Sequence, residues 1–374
     1  MKVAIIGPTY PFRGGIAQHS TLLCNTLRKR HDVKFISYSR QYPKIIFPGK
    51  SDRDPSQDAL HADPVEYLID SLNPLSWKKA ADSVIQFEPD CVIFPWWVVF
   101  WAPQVFYLTK RIRNHLNTKI ILLCHNVSEH ENNIVKKYIT KNILKIADVI
   151  FTQSIQETEN VHKCLDCVGK KVITGFHPTY VDLCSNMVSD SDKIDKKKYD
   201  FQYNLLFFGF VRKYKGLDVL LDALPIVLQY VDVQLNIVGE FWKDKKAYID
   251  KIHTLHLNEY VRIIDKYVPN ETLHEYFEHA DIVVQPYLSA SGSGVSQLAY
   301  GFSTPVIATR VGSIAEVVLD KVNGRLVAPN DPKALAMAII ESLVPENLAK
   351  MKQEACKVKN RFSWDRFADM IIQS

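Results

Sequence analysis

Residues Asp281 to Glu316 read as strand, small-residue loop, helix and strand, and that unit restricts what the rest of the chain can become. The apolar run Ile282-Val283-Val284 has the character of a buried parallel strand. Ser289-Ala290-Ser291-Gly292-Ser293-Gly294 follows without a bulky side chain, then an apolar helical segment from Val295 to Phe302 and a second strand, Pro305 to Ala308. Such a loop opens straight into a helix N-terminus, where free backbone N–H groups and the helix dipole converge on one point and suit an anion such as phosphate. Gly and Ser also make tight strand-to-helix turns with no ligand, so the loop leaves both readings open.

The same alternation runs through the whole chain. Strands are expected at Lys2–Gly7, Val33–Ser37, Cys91–Phe94, Lys119–Cys124, Val149–Thr152 and Lys171–Ile173. Helices are expected at Ile16–Lys29, Trp77–Gln86, Pro103–Asn114 and Lys136–Ala147. Residues 40–75, rich in Pro, Asp and Ser, read as a long loop. After the polar, charged segment near 186–203 the pattern restarts, with strands at Leu205–Phe208, Val233–Val238 and Val261–Ile264. Strands alternating with helices imply parallel sheets with right-handed crossovers. The expected division is an N-terminal Rossmann-like domain over 1–185, a linker over 186–203 and a second α/β domain over 204–360, with a last helix near 361–374 that can pack back on the first domain.

Composition excludes several classes. At 374 residues there is room for two cores, and 47% hydrophobic with 23% charged residues is ordinary globular composition. A net charge of +5 is too mild and dispersed to indicate nucleic acid. Seven cysteines without a regular framework argue for a reducing, cytoplasmic setting, and Cys164 with Cys167 lacks the second pair that a zinc site needs. Val3 to Ile6 is too short for a signal-peptide core. The apolar stretch Val92–Leu108, with three tryptophans and two prolines, reads either as a buried strand and helix or as a membrane-touching patch next to Lys110, Arg111 and Arg113. The basic helix with Lys136, Lys137, Lys141 and Lys145 is either a solvated face or part of such a contact.

Motifs narrow the chemistry further. The first turn, Gly7 to Gly15, cannot be written GxGxxG, and there is no GxxxxGK[ST], HExxH or GxSxG. What is present, in order, is Gly14-Gly15-Ile16-Ala17, Phe208-Gly209 with Lys215-Gly216, Val238-Gly239-Glu240, Asp281, Pro305 to Thr309, Gly312 with Glu316, and Asn323 to Val327. Over nearly the whole chain these landmarks resemble the retaining, nucleotide-sugar-dependent glycosyltransferases of family 4 (glycosyl transferases group 1). That resemblance implies a GT-B fold, two Rossmann-like parallel-sheet domains facing each other across a cleft. It also implies hexose transfer from a nucleoside diphosphate sugar to an acceptor hydroxyl, with retention, front-side attack and neither a metal nor another cofactor. The acceptor it implies is a polysaccharide, a glycan or a lipid-linked saccharide, and for the last of these peripheral membrane contact through the N-terminal domain is one open reading.

The resemblance also assigns roles. Lys215 corresponds to the lysine that neutralises the donor diphosphate. Phe210 stands where the family's arginine is usual, which makes Arg212 the stand-in. His125 corresponds to a histidine contacting the transferred sugar, although a strand-end histidine is as often structural. Gly14, Gly15, Gly209, Gly239, Glu240 and the amides of Ser293, Gly294 and Val295 are expected around the donor. Main-chain atoms near Val268 are expected at its base, while His19 and Glu316 are weaker candidates. The largest departure concerns two glutamates eight residues apart, whose places hold Ala290 and Leu298. Gln297 is then the residue available to the ribose. Loss of both carboxylates is compatible with a donor held by other groups or with a catalytically silent binding protein; a nucleotide-sugar epimerase is a further alternative.

Overall fold

The computed structural model describes residues 1–43, 51–127, 134–165, 169–180 and 201–374. Most of the expected linker, and Cys167, lie outside the described residues. Two compact units are present: Met1–Pro55 with Ala59–His177 and Trp364–Ser374, and Ser56–Asp58 with Pro178–Ser363. The chain leaves the first unit at His177, eight residues before the boundary expected from composition.

In the first unit, β1 (Lys2–Ile6), β2 (Asp32–Arg40), β3 (Val65–Asp70), β4 (Cys91–Trp96), β5 (Lys119–Cys124), β6 (Val149–Thr152) and β7 (Lys171–Thr174) form one sheet in the order β3-β2-β1-β4-β5-β6-β7. Every pairing is parallel. Inner strands carry unbroken apolar runs because helices cover both faces; Val92, Ile93 and Phe94 are essentially inaccessible. The expected loop over 40–75 contains β3. Its residues at this sheet edge are mostly half-buried, so the apolar run that marks an inner strand is missing. The helix Ile155–Leu165 also escaped the sequence reading.

The second unit repeats the plan with β8 (Tyr203–Phe208), β9 (Val233–Val238), β10 (Val261–Ile264), β11 (Ile282–Gln285), β12 (Val306–Thr309) and β13 (Gly324–Val327), ordered β10-β9-β8-β11-β12-β13 and again parallel. The short β13, half-buried beyond its first residue, was not foreseen.

Chain order reverses once in each sheet, between β1 and β4 and between β8 and β11. Loops at the carboxyl ends of the strands diverge at such a point and leave a crevice, where open α/β sheets bind ligands. The loops after β1, β8 and β11 carry the Gly and Lys landmarks, so topology alone singles out those stretches.

The final helix, Trp364–Ile372, clusters with the first unit. Trp364 packs on His19 with ring centroids 4.7 Å apart, and Phe367 packs on Phe151 at 5.4 Å. Burying two large aromatics is worth about 2–3 kcal/mol each, which secures the helix. Trp96 and Trp101 are 1% exposed and belong to the apolar core, so these two tryptophans are not a surface patch. Among the described residues no helix is long and apolar enough to cross a membrane.

Candidate functional site

In the second unit, the loops following β8, β9 and β11 are packed together through their backbones. Gly216 has φ +68°, and a Cβ there would fall 1.9 Å from the Pro286 carbonyl oxygen. Gly239, at φ +149°, leaves no room for a Cβ because the Gly209 carbonyl lies 2.1 Å away. Glycine is therefore required at both positions by close approach as well as conformation. Leu288 N donates to Tyr214 O at 2.7 Å, joining the β8 loop to the β11 loop.

Lys215 folds back beneath this junction. Its side chain is 7% exposed, and its ammonium lies 3.5 Å from the Phe208 carbonyl, 5.5 Å from the Tyr287 ring centroid and 2.9 Å from where a Cβ on Gly209 would stand. The same Gly209 position is 3.6 Å from the Val295 side chain, so the lysine and the Gly/Ser loop share one corner. Among the described residues no carboxylate pairs with the Lys215 ammonium. Burial, reinforced by the nearby Arg212 charge, lowers its pKa to about 7. A buried cation without a counter-ion is costly, and an arriving anion removes that cost.

Arg212 is solvent-exposed, unlike Lys215. Its guanidinium sits 3.6 Å from the Trp242 ring centroid, a cation–π stack that holds it at the loop. Phe210 packs on the same indole at 5.1 Å and on Tyr267 at 6.4 Å. Val268 follows that tyrosine and is buried. Glu240 is buried beside Gly239, and its carbonyl accepts from Val211 N at 3.0 Å.

The helix Gly294–Gly301 begins with Ser293 as N-cap, yet Ser293 makes no capping bond. Gln285, the last residue of β11, explains why. Its amide donates to Ser293 Oγ at 2.9 Å, and its carbonyl oxygen accepts from Ser296 Oγ at 2.5 Å. With the serine hydroxyl held aside, the first-turn N–H groups of Gly294 and Val295 have no side-chain cap. One turn in, Gln297 is 1% exposed, and neither atom of its amide meets a hydrogen-bond partner among the described residues. Leu298 is buried and apolar, and Ala290 is half-buried.

In the first unit, Gly14 caps the helix Gly15–Arg28 at φ +111°, and Gly15, its first residue, is exposed. His19, one turn on, is inaccessible, and its ring meets His125 edge-on with centroids 4.5 Å apart and His177 at 5.4 Å. His125 is held by its backbone N–H to Trp96 O at 2.8 Å and by a side-chain bond between Nδ1 and Gln153 Nε2, also 2.8 Å. Its Nε2 is buried without a partner among the described residues. Burial, together with His177, pushes its pKa down to about 3, and His19 is likewise lowered by burial and by His125. Both rings are neutral at physiological pH.

Of the residues expected at a site, Gly209, Lys215, Gly239, Val295 and, by electrostatic coupling, Arg212 are gathered at one corner of the second unit. Ser293, Gly294 and Gln297 flank it on the helix that starts there. Gly14, Gly15 and His125 belong to the first unit. Glu316 lies on the short helix Ile314–Val317, whose N-cap Ser313 donates to Ser291 O of the Gly/Ser loop through its backbone N–H at 3.1 Å and its hydroxyl at 2.8 Å. Sequence reasoning missed Trp242, Gln285 and Gln153. Gln153 and Gln285 each stand at the carboxyl end of a strand, a position that topology marks; Trp242, two residues past Glu240, carried no signal.

Comparison with known proteins agrees with this architecture. Residues 202–344 match the family model described as glycosyl transferases group 1. An uncharacterized glycosyltransferase of Methanocaldococcus jannaschii is 28% identical over 98% of this chain and 95% of its own length. A D-inositol 3-phosphate glycosyltransferase of Xylanimonas cellulosilytica is 32% identical, but the match spans 45% of this chain and 40% of that protein. Another uncharacterized glycosyltransferase of M. jannaschii is matched over about half its length, 51%, at 26% identity. Among solved structures, HepE of Anabaena in complex with UDP superposes with TM-score 0.75 over 100% of this chain and 99% of that one at 17% identity. Sucrose-phosphate synthase of Thermosynechococcus elongatus gives 0.73 over 100% and 98%, also at 17%. At such identities the superpositions speak for the fold alone. The chain has the GT-B fold of these solved structures, and over residues 202–344 it is similar to the glycosyl transferases group 1.

Proposed function

We propose that the protein transfers a hexose from a nucleoside diphosphate sugar to an acceptor hydroxyl with retention at the anomeric carbon, without a metal. The observation that carries this reading is Lys215: a buried ammonium with no carboxylate partner among the described residues, beside an uncapped helix N-terminus at the chain-order reversal of a parallel sheet. HepE structures of the same fold were solved with UDP and with UDP-glucose, and we extend that donor class to this chain. In this scheme Lys215 and Arg212 offset the charge that grows on the departing diphosphate, and the Ser293 to Val295 amides receive its oxygens. Gln297 takes the ribose hydroxyls, main-chain atoms near Val268 take the base, and Gly209, Gly239 and Glu240 complete the donor's surroundings. The first unit contributes Gly14 and Gly15, whose backbones allow close approach, and His125 toward the sugar. Two cations in place of a metal, and no carboxylate placed as a nucleophile among the described residues, favour front-side attack assisted by the leaving phosphate.

The acceptor in this reading is a saccharide, either free or lipid-linked. The lipid-linked form is favoured by the helix Ile134–Ile146, where Ile134, Val135 and Tyr138 are exposed beside Lys137 and Lys145. Apolar residues interleaved with lysines suit an anionic membrane surface.

The test is a screen of nucleoside diphosphate sugars for released diphosphate, with and without acceptors. Release that depends on an acceptor supports transfer. Isomerised donor sugar supports epimerisation. A donor that binds and is never turned over supports a silent binding protein, the alternative motivated by Ala290 and Leu298.

A further inference from the structure

Gln153 and His125 are neighbours by construction. Cys124 of β5 pairs with Thr152 of β6 in parallel register, so the residues that follow each strand emerge side by side. Among the described residues the only hydrogen bond of the His125 ring is the 2.8 Å contact from Nδ1 to Gln153 Nε2. With the Gln153 amide turned so that Nε2 meets the ring, that nitrogen donates and Nδ1 accepts, which puts the single proton of a neutral imidazole on Nε2. Among the described residues that Nε2 is buried and faces no partner. Burial keeps the ring uncharged, with His177 adding to the effect, and His19 lies edge-on at 4.5 Å.

We propose that Gln153 is a positioning residue that fixes His125 as the Nε2–H tautomer, so that the imidazole presents a neutral N–H donor to a hydroxyl or ring oxygen of the bound sugar. The sugar as partner rests on the glycosyl-transfer reading above; the tautomer does not. A donor of this kind orients and polarises an oxygen. It takes no proton from the acceptor, which leaves that proton to the departing diphosphate. A carboxylate in place of Gln153 would reverse the arrangement by drawing the proton to Nδ1 or by favouring the imidazolium.

The experiment is a long-range proton–nitrogen correlation spectrum of the full chain labelled with nitrogen-15 histidine, alongside kcat and KM for the donor found in the screen. The wild type is expected to show His125 protonated at Nε2 alone. Gln153→Glu is expected to move the proton to Nδ1 or to protonate both nitrogens, and to lower kcat by roughly 10²-fold with little change in donor KM. Gln153→Leu is expected to mix the tautomers and give a smaller loss, which serves if the glutamate variant does not fold. A wild-type spectrum with the proton on Nδ1 overturns the proposal, and so does full kcat in a glutamate variant whose tautomer has reversed. If the wild type turns over no donor, glycosyl transfer falls instead, and the spectrum still decides the tautomer.

Discussion

The two units place their polar groups at matching positions, the carboxyl ends of parallel strands, and treat charge in opposite ways. In the second unit a lysine is buried beside an uncapped helix start and loses much of its hold on its proton, with a pKa of about 7. In the first unit two histidines are buried against each other and against Trp364 and Phe367, and His125, at about 3, stays neutral. One corner lacks an anion and gains most when one arrives. The other excludes charge and keeps only directional hydrogen bonding. Shared topology therefore determines where a site forms, while the partners supplied to the buried groups determine what it binds.

The comparison breaks most directly at Lys215. Lys215→Ala is expected to reduce turnover by roughly 10²–10³-fold through loss of transition-state charge stabilisation, measured as kcat/KM for the donor. Because the native ammonium is buried without a counter-ion among the described residues, Lys215→Met is expected to keep or raise the thermal midpoint while losing activity. A variant that falls in both would make Lys215 structural.

Next in size is the backbone junction. Gly239→Ala forces a methyl against the Gly209 carbonyl at an unfavourable φ, and is expected to cost about 1–3 kcal/mol or more of unfolding free energy by denaturant titration. The same substitution at Gly14, where nothing lies within 4 Å of an added Cβ, carries conformational strain alone and is expected to cost less.

Acidity then separates the units. His19 and His125 are neutral when folded and titrate near 6.5 when unfolded, so the unfolded chain binds more protons once pH falls below about 6.5. Stability contributed by their burial is complete above that value and is lost as pH falls, by about 1.4 kcal/mol per pH unit for each group. Replacing His19 with Gln is expected to flatten the acid limb of the thermal midpoint against pH. Lys215 acts at the other end of the scale. Diphosphate binding raises its pKa, so above pH 7 binding takes up a proton, and affinity is expected to fall as pH rises, by at most tenfold per unit.

The smallest expected effect is at Gln297. Its amide, unpartnered among the described residues, is available to a ribose, and Gln297→Ala is expected to raise donor KM several-fold, about 1 kcal/mol, with kcat little changed. An unchanged KM would remove Gln297 from the donor site.

Sequence carried the second unit's corner more fully than the first's. Gly209, Lys215, Gly216 and the Gly/Ser loop lie in short segments whose composition announces tight turns, and backbone amides need no particular side chain. Lys215 was legible as a charge, but its burial was not, because burial comes from Pro286, Tyr287 and Gly209 closing around it. Arg212 was foreseen as a cation, whereas its stack on Trp242 joins loops 30 residues apart in sequence. In the first unit, His125 was read from its strand end. Its environment is assembled from the helix Gly15–Arg28, β6, His177 and the chain's last helix, and only folding brings those together. The edge strand β3 was lost for a related reason, since a half-buried strand has no apolar run to reveal it.

The account rests on a diphosphate being received at Lys215 and the Ser293 to Val295 amides. Calorimetric titration of UDP, GDP and ADP into the wild type and Lys215→Ala at pH 8, in two buffers of different ionisation heat, tests it most directly. The account predicts that at least one of the three binds the wild type with net proton uptake, and that affinity and proton uptake are both lost in the variant. Equal affinity in wild type and variant, with no proton exchanged in either, would contradict it.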